Sequence, residues 1–87
     1  MKKPTDFETL VYAAVKNIPR GEVSTYGWVA RRIGRPLAVR AVGNALHKNP
    51  FAPVVPCHRV VAKNGLGGFA GGLERKRELL RREGYKV

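Results

Sequence analysis

The stretch STYGWVARRIGRPLAVRAVGNALH, from Ser24 to His47, decides the fold. Ser24 or Thr25 offers a hydroxyl that can cap a short helix over about residues 25–33. Val29, Ala30 and Ile33 would form its apolar face, and Gly34 suits the left-handed position just past a helix end. Arg35-Pro36 then opens the next helix, because proline costs least in a first turn, where its missing N–H has no partner to lose. That helix is expected over about residues 37–48, with Val39, Val42 and Leu46 on one stripe, and Asn49-Pro50 stops it. Two helices joined by a short glycine-containing turn look like a helix-turn-helix, which would set the later helix against DNA. An ordinary αα-corner in a small helical domain fits the same pattern.

Upstream, Thr5 followed by Glu8 reads as a capping box, and Phe7, Leu10, Val11, Ala14, Val15 and Ile18 recur at helical spacing, so a first helix is expected over about residues 6–17. Downstream, Pro50, Pro53 and Pro56 stiffen an extended connection, and Val60-Val61-Ala62 reads as a short strand. Lys63-Asn64-Gly65 reads as a turn. A glycine-rich loop from Gly67 to Gly72 precedes a last helix from about Leu73 to Arg82, with Leu73, Leu79 and Leu80 available to a core and Gly84 ending it. The expected fold is mainly α. It is a winged helix-turn-helix-like domain with a short extended cysteine-bearing segment and a C-terminal helix.

Eighty-seven residues, 44% of them hydrophobic, suit one small globular domain. The formal net charge is +11, which favours a polyanion such as nucleic acid as partner, although a merely charged surface would look the same. One cysteine cannot form an internal disulfide and fits a reducing compartment, cytoplasmic or nuclear. No apolar run approaches a bilayer span, and no apolar stretch follows Lys2-Lys3-Pro4 to make a signal peptide.

That cysteine, Cys57, lies in Pro56-Cys57-His58-Arg59-Val60. A lone cysteine is commonly a small core hydrophobe. Here a histidine follows that can take the thiol proton directly or through a water, and adjacent cations favour thiolate chemistry. In an extended segment, however, neighbouring side chains point to opposite faces. A Cys-His pair also suits a cysteine protease, but there the pair is contributed by distant parts of the chain. With His47 and His58 the only histidines, the chain lacks metal-ligand spacing. Glu83 could orient His58, or be a surface acid at a helix end. The glycine loop lacks the lysine-serine ending of a phosphate-binding loop, but its backbone could approach a flat ring closely, with Phe69 as a wall or as a core aromatic. Ala41, Gly43 and Ala45 give the third helix small residues suited to close approach, and Arg40 beside them could reach into a duplex or simply be solvated.

Taken together, these blocks resemble the O6-alkylguanine-DNA alkyltransferases, also called methylated-DNA–protein-cysteine methyltransferases. Pro56-Cys57-His58-Arg59-Val60 looks like their active-site signature, and Arg40-Ala41-Val42-Gly43-Asn44-Ala45 resembles their recognition helix. Asn49-Pro50, Gly71-Gly72-Leu73, Glu83-Gly84 and Gly21-Glu22-Val23-Ser24-Thr25-Tyr26 fall at matching places, so the likeness runs from about residue 5 to 84.

The resemblance implies a DNA-repair protein that binds double-stranded DNA in the minor groove and extrudes the damaged nucleotide. Cys57 would take the alkyl group from O6-alkylguanine, or O4-alkylthymine, in a single turnover. His58 would act as base through water, Glu83 would orient it, and Asn49 would brace the active-site turn. Tyr26 would help rotate the nucleotide and donate towards O6, and Arg40 would fill the vacated stack. Ala41, Gly43 and Ala45 would lie at the DNA, and Arg59 would be structural. The backbone of Cys57 and Val60 would read the base, and Phe69 and Ala70 would wall the pocket, at positions where some members carry Tyr and Ser.

No cofactor is implied, because DNA supplies the group and the protein accepts it. The family usually carries an additional N-terminal domain, for which this sequence has no room. The expectation is a single domain over residues 1–87, monomeric or part of a larger fusion. Two other readings compete: a non-catalytic alkyltransferase-like damage sensor, a class that replaces the cysteine, and a general basic helix-turn-helix domain with a structural cysteine.

Overall fold

The computed structural model describes residues 3–69 and 72–86, and its first helix begins where the capping box places it. In α1 (Asp6–Lys16) the Thr5 hydroxyl accepts from the Glu8 amide at 3.1 Å, and the Glu8 carboxylate accepts from the Thr5 amide at 2.9 Å. Val11, Ala14, Val15 and Ile18 enter the core at i, i+3, i+4 and i+7. Leu10, expected on that stripe, is 45% exposed, and Tyr12 is buried instead, its hydroxyl donating to the Ala45 carbonyl at 2.8 Å.

The helix-turn-helix forms from α2 (Tyr26–Arg32) and α3 (Val39–His47), which pack on each other and on α1. Thr25 is the cap of α2, its hydroxyl accepting from the Trp28 amide at 3.0 Å, and Gly34 takes the left-handed conformation (φ +75°) that ends it. The third helix starts later than expected. Residues 35–38 form a turn closed by the Ala38 amide on the Arg35 carbonyl, because Ala38, at the cap position, has no side-chain acceptor. Val39 in the first turn is 42% exposed and does not join Val42 and Leu46 in the core.

Two short strands tie the halves of the chain together. Ser24–Thr25 (β1) pairs in parallel with Val60–Val61 (β2), Ser24 opposite Val60. The sequence reading saw the second strand but took Ser24-Thr25 only as a cap. Ala62 bridges to Gly65 around the Lys63-Asn64 turn.

The cysteine-bearing segment is not extended. Residues 51–55 turn back, with the Val55 amide donating to the Phe51 carbonyl, and Cys57–Arg59 form one 3-10 turn. Finally α4 (Leu73–Arg82) buries Leu80 completely, while Leu73 stays 45% exposed, and Gly84 (φ +87°) follows it. No helix among the described residues is long and apolar enough to cross a membrane.

Candidate active site

The 3-10 turn settles where the thiol and the imidazole point. Successive residues of such a turn diverge by about 120°, so neighbours need not lie on opposite faces of a strand. Cys57 is half-buried and lines a cleft of about 830 Å³. His58 is 4% exposed and turns inward to Glu83, its Nε2 lying 3.0 Å from Oε2. No hydrogen bond joins Cys57 to His58 among the described residues. The separation of Nε2 from Oε2 is that of an ion pair, but the N–H direction is off the line to the oxygen. Nε2 is therefore a buried nitrogen without an aligned acceptor.

Glu83 reaches this point because it caps α4. Its stronger partner is Arg59, which donates from Nε to Oε1 at 2.9 Å and from Nη2 to Oε2 at 2.6 Å. The same guanidinium donates from Nη1 to the Ile18 carbonyl at 2.8 Å, so it fastens the end of α1 to the site. Arg59 first, and then His58, hold the Glu83 carboxyl down at about 2, against the pull of burial. The carboxylate is thus shared by the Arg59 guanidinium and the His58 imidazole.

Asn49 sits at the other edge of the cysteine segment. Its Nδ2 donates to the Val55 carbonyl at 2.8 Å, and its Oδ1 accepts from the Phe51 amide at 2.9 Å, so one side chain closes the loop that leads to Pro56.

The cleft lies between α3, Tyr26 at the start of α2, Cys57, and the loop Gly67–Phe69. Tyr26 donates from its hydroxyl to the Gly68 carbonyl at 3.3 Å. Burial raises its pKa, and the neighbouring Cys57 adds to that. Gly67 has φ +72°, and a Cβ there would come within 2.9 Å of the Tyr26 ring and 3.1 Å of the Ala62 amide nitrogen. The loop can lie against Tyr26 only with glycine at that position.

Several expected residues meet here: Tyr26, Arg40, Gly43, Cys57 and Phe69 all line the cleft. Arg40 and Ala41 are exposed on α3, and Gly43 has open space where a side chain would be. Ala45 does not belong on a DNA-facing surface. Two residues along a helix turn by about 200°, which separates Ala45 from Gly43, and Ala45 is 2% exposed against Tyr12. Val60, expected to act through its backbone, turns its side chain into the core. Its side chain is fully buried, its amide donates to the Cys57 carbonyl, and its carbonyl accepts from Lys76. Ala70 lies outside the described residues. Among the described residues no group of three His, Cys, Asp or Glu side chains could hold a metal.

The sequence reading missed Val39, Asn44 and His47, which also line the cleft. It missed Lys76 more seriously. That side chain is fully buried, and its Nζ donates to the carbonyls of Val60 (2.6 Å), Leu66 (2.6 Å) and Gly68 (3.1 Å). A signal existed: Lys76 precedes Leu80 by four residues and so shares its helix face.

Residues 6–85 match the sequence profile of the family described as "6-O-methylguanine DNA methyltransferase, DNA binding domain". The methylated-DNA–protein-cysteine methyltransferase of Salmonella typhimurium is 54% identical over 82 residues, which is 93% of this chain and 48% of that protein. The crystal structure of Mycobacterium tuberculosis OGT in complex with DNA superposes with a TM-score of 0.89 at 50% identity, over 93% of this chain and 51% of that one. Schizosaccharomyces pombe Atl1, solved with damaged DNA containing O6-carboxymethylguanine, superposes with a TM-score of 0.84 at 40% identity, over 99% of this chain and 82% of that one. The chain spans about half the length of the methyltransferase relatives it matches.

Proposed function

Since the chain belongs to the family of 6-O-methylguanine-DNA methyltransferase DNA-binding domains, we propose that it repairs alkylated DNA by moving the alkyl group of O6-alkylguanine, and of O4-alkylthymine, onto Cys57. The observation that carries this reading is the position of Cys57: half-buried, lining a cleft large enough for a base, beside the exposed Arg40 helix.

The +11 charge draws the domain to double-stranded DNA through the phosphates. An O6 substituent is out of a thiol's reach inside the stack, so the nucleotide must leave it. Arg40 on the outer face of α3 is placed to enter the vacated space, with Ala41 and Gly43 allowing close approach. Tyr26 and Phe69 flank the extruded ring.

At the sulfur the balance is simple. The thiol proton leaves to His58 through a water, sulfur bonds to the alkyl carbon, and the carbon–O6 bond breaks with its electron pair going to guanine. The Tyr26 hydroxyl is the donor at hand for the departing base, and the proton held by His58 restores it. A carboxylate near Nε2 favours the tautomer protonated there, leaving Nδ1 as base. Glu83 supplies that carboxylate, Arg59 fixes it from the other side, and Asn49 holds the turn before Pro56. The thioether formed is stable to water, so each chain acts once.

The likeness to Atl1 favours a second reading, a binder of alkylated DNA without transfer. A nucleophile in the cleft argues for transfer. Incubation with an O6-methylguanine duplex, followed by peptide mapping, separates the two. A methyl group on Cys57 supports the proposal; tight damage-selective binding with an unmodified Cys57 refutes it.

A further inference from the structure

Lys76 has no place in the chemistry above, yet it is a fully buried cation. An ammonium placed in the interior loses much hydration, and a lysine retained there needs full hydrogen-bonding compensation. Here the compensation is complete. An ammonium has three donors, and each is aimed at a backbone carbonyl: Val60, Leu66 and Gly68. Desolvation still lowers its pKa to about 8, partly offset by Cys57.

The three carbonyls come from two different segments beside the cleft. Val60 follows the cysteine turn, whereas Leu66 and Gly68 belong to the glycine loop that closes the cleft. That loop has no regular structure from Leu66 to Phe69. Among the described residues, the hydrogen bonds reaching its Leu66 and Gly68 carbonyls come from side chains, Lys76 and Tyr26. Glycine-rich backbone loses much entropy when ordered, so the loop needs such ties to keep one position. The Gly68 carbonyl accepts from both donors, and the Lys76 Nζ lies 5.9 Å from the Tyr26 ring centroid. The ammonium therefore also helps to place Tyr26.

We infer that Lys76 is a positioning residue that ties the glycine loop to the cysteine segment and so sets the width of the pocket that admits the alkylated base. The inference rests on the proposed alkyl transfer for its meaning, but the tie itself is independent of that chemistry.

The test compares wild type with Lys76→Met, which keeps the volume and removes the donors. In the variant, amide exchange from Leu66 to Phe69 should speed by about tenfold or more while the core amides of α1 stay protected. The half-saturating concentration of free O6-benzylguanine should rise by about tenfold, with the rate at saturation within about threefold, the signature of lost positioning rather than lost chemistry. Unchanged loop exchange and unchanged half-saturation in a folded variant overturn the inference. Should Lys76→Met not fold, the wild type decides by NMR. A slowly exchanging Lys76 ammonium, scalar-coupled to the three carbonyl carbons, supports the tie; a rapidly exchanging ammonium without those couplings overturns it. A wild type that keeps the tie but never alkylates Cys57 would refute the proposed function and leave the tie standing.

Discussion

Glu83→Gln is the substitution that interrogates the site's electrostatics most sharply. It keeps the shape and removes the charge that Arg59 and His58 share at 2.6 and 3.0 Å. The folded carboxyl sits at about 2, against an ordinary value of 4.5, because Arg59 and then His58 favour the anion. A folded pKa below the unfolded one adds stability that is fully present above about pH 4.5 and lost as pH falls towards 2. The Glu83 side chain is only 11% exposed, so little is lost to solvent screening, and the shift corresponds to about 3 kcal/mol. Glu83→Gln should therefore cost about 3 kcal/mol at pH 7, or about 12–24 °C in Tm for a domain this size. Urea unfolding of both proteins from pH 7 down to pH 2 provides the assay. The Glu8–Lys48 ion pair also weakens in acid, but it is present in both proteins and cancels in the difference. The gap between the two curves should stay constant down to about pH 4.5 and then close. A gap independent of pH would refute the reasoning, because the loss would then be steric.

Further outcomes follow from the same geometry. Arg40→Ala should slow transfer from a methylated duplex by about 100-fold, the equivalent of about 3 kcal/mol of unstacking no longer offset. It should leave transfer from free O6-benzylguanine nearly unchanged, and parallel single-turnover kinetics on both substrates would check this; equal losses would remove Arg40 from the flipping role. Asn49→Ala deletes two hydrogen bonds, one to the carbonyl of a buried valine, and should cost about 2 kcal/mol in urea unfolding. It should also slow alkylation of Cys57, and wild-type stability would show that the loop is held by other means.

Much of the fold could be read from the chain because its signals were local. The capping box at Thr5, the Gly34 turn and the Asn49-Pro50 stop act within a few residues, and the helices ended close to where these fell. Interactions across the sequence were harder to see. Nothing near Ser24 announces a strand partner at Val60, and two-residue strands leave no alternation to find. Proline spacing suggested an extended cysteine segment, whereas Asn49, by hydrogen-bonding both Phe51 and Val55, folds it into turns. The 3-10 turn that follows sets Cys57 towards the cleft and His58 towards Glu83.

Among the site residues, those with side-chain roles were easier to anticipate than those decided by burial. Tyr26, Arg40, Cys57 and Phe69 converge on one cleft. Ala45, expected at the DNA, is turned inward, because composition alone cannot tell which side of α3 faces the core. Lys76 was hidden by its neighbours Arg75 and Arg77: within a basic run, only tertiary structure shows which cation is turned inward.

The central claim is that Cys57 is a single-use alkyl acceptor, and stoichiometry tests it most directly. The protein is titrated with increasing amounts of an O6-methylguanine duplex, and intact mass and restored guanine are counted together. The account predicts one methyl group per chain, one guanine restored per methyl gained, a plateau at one equivalent, and no gain in Cys57→Ser. Guanine restored beyond one equivalent, or methyl gained by Cys57→Ser, would contradict it.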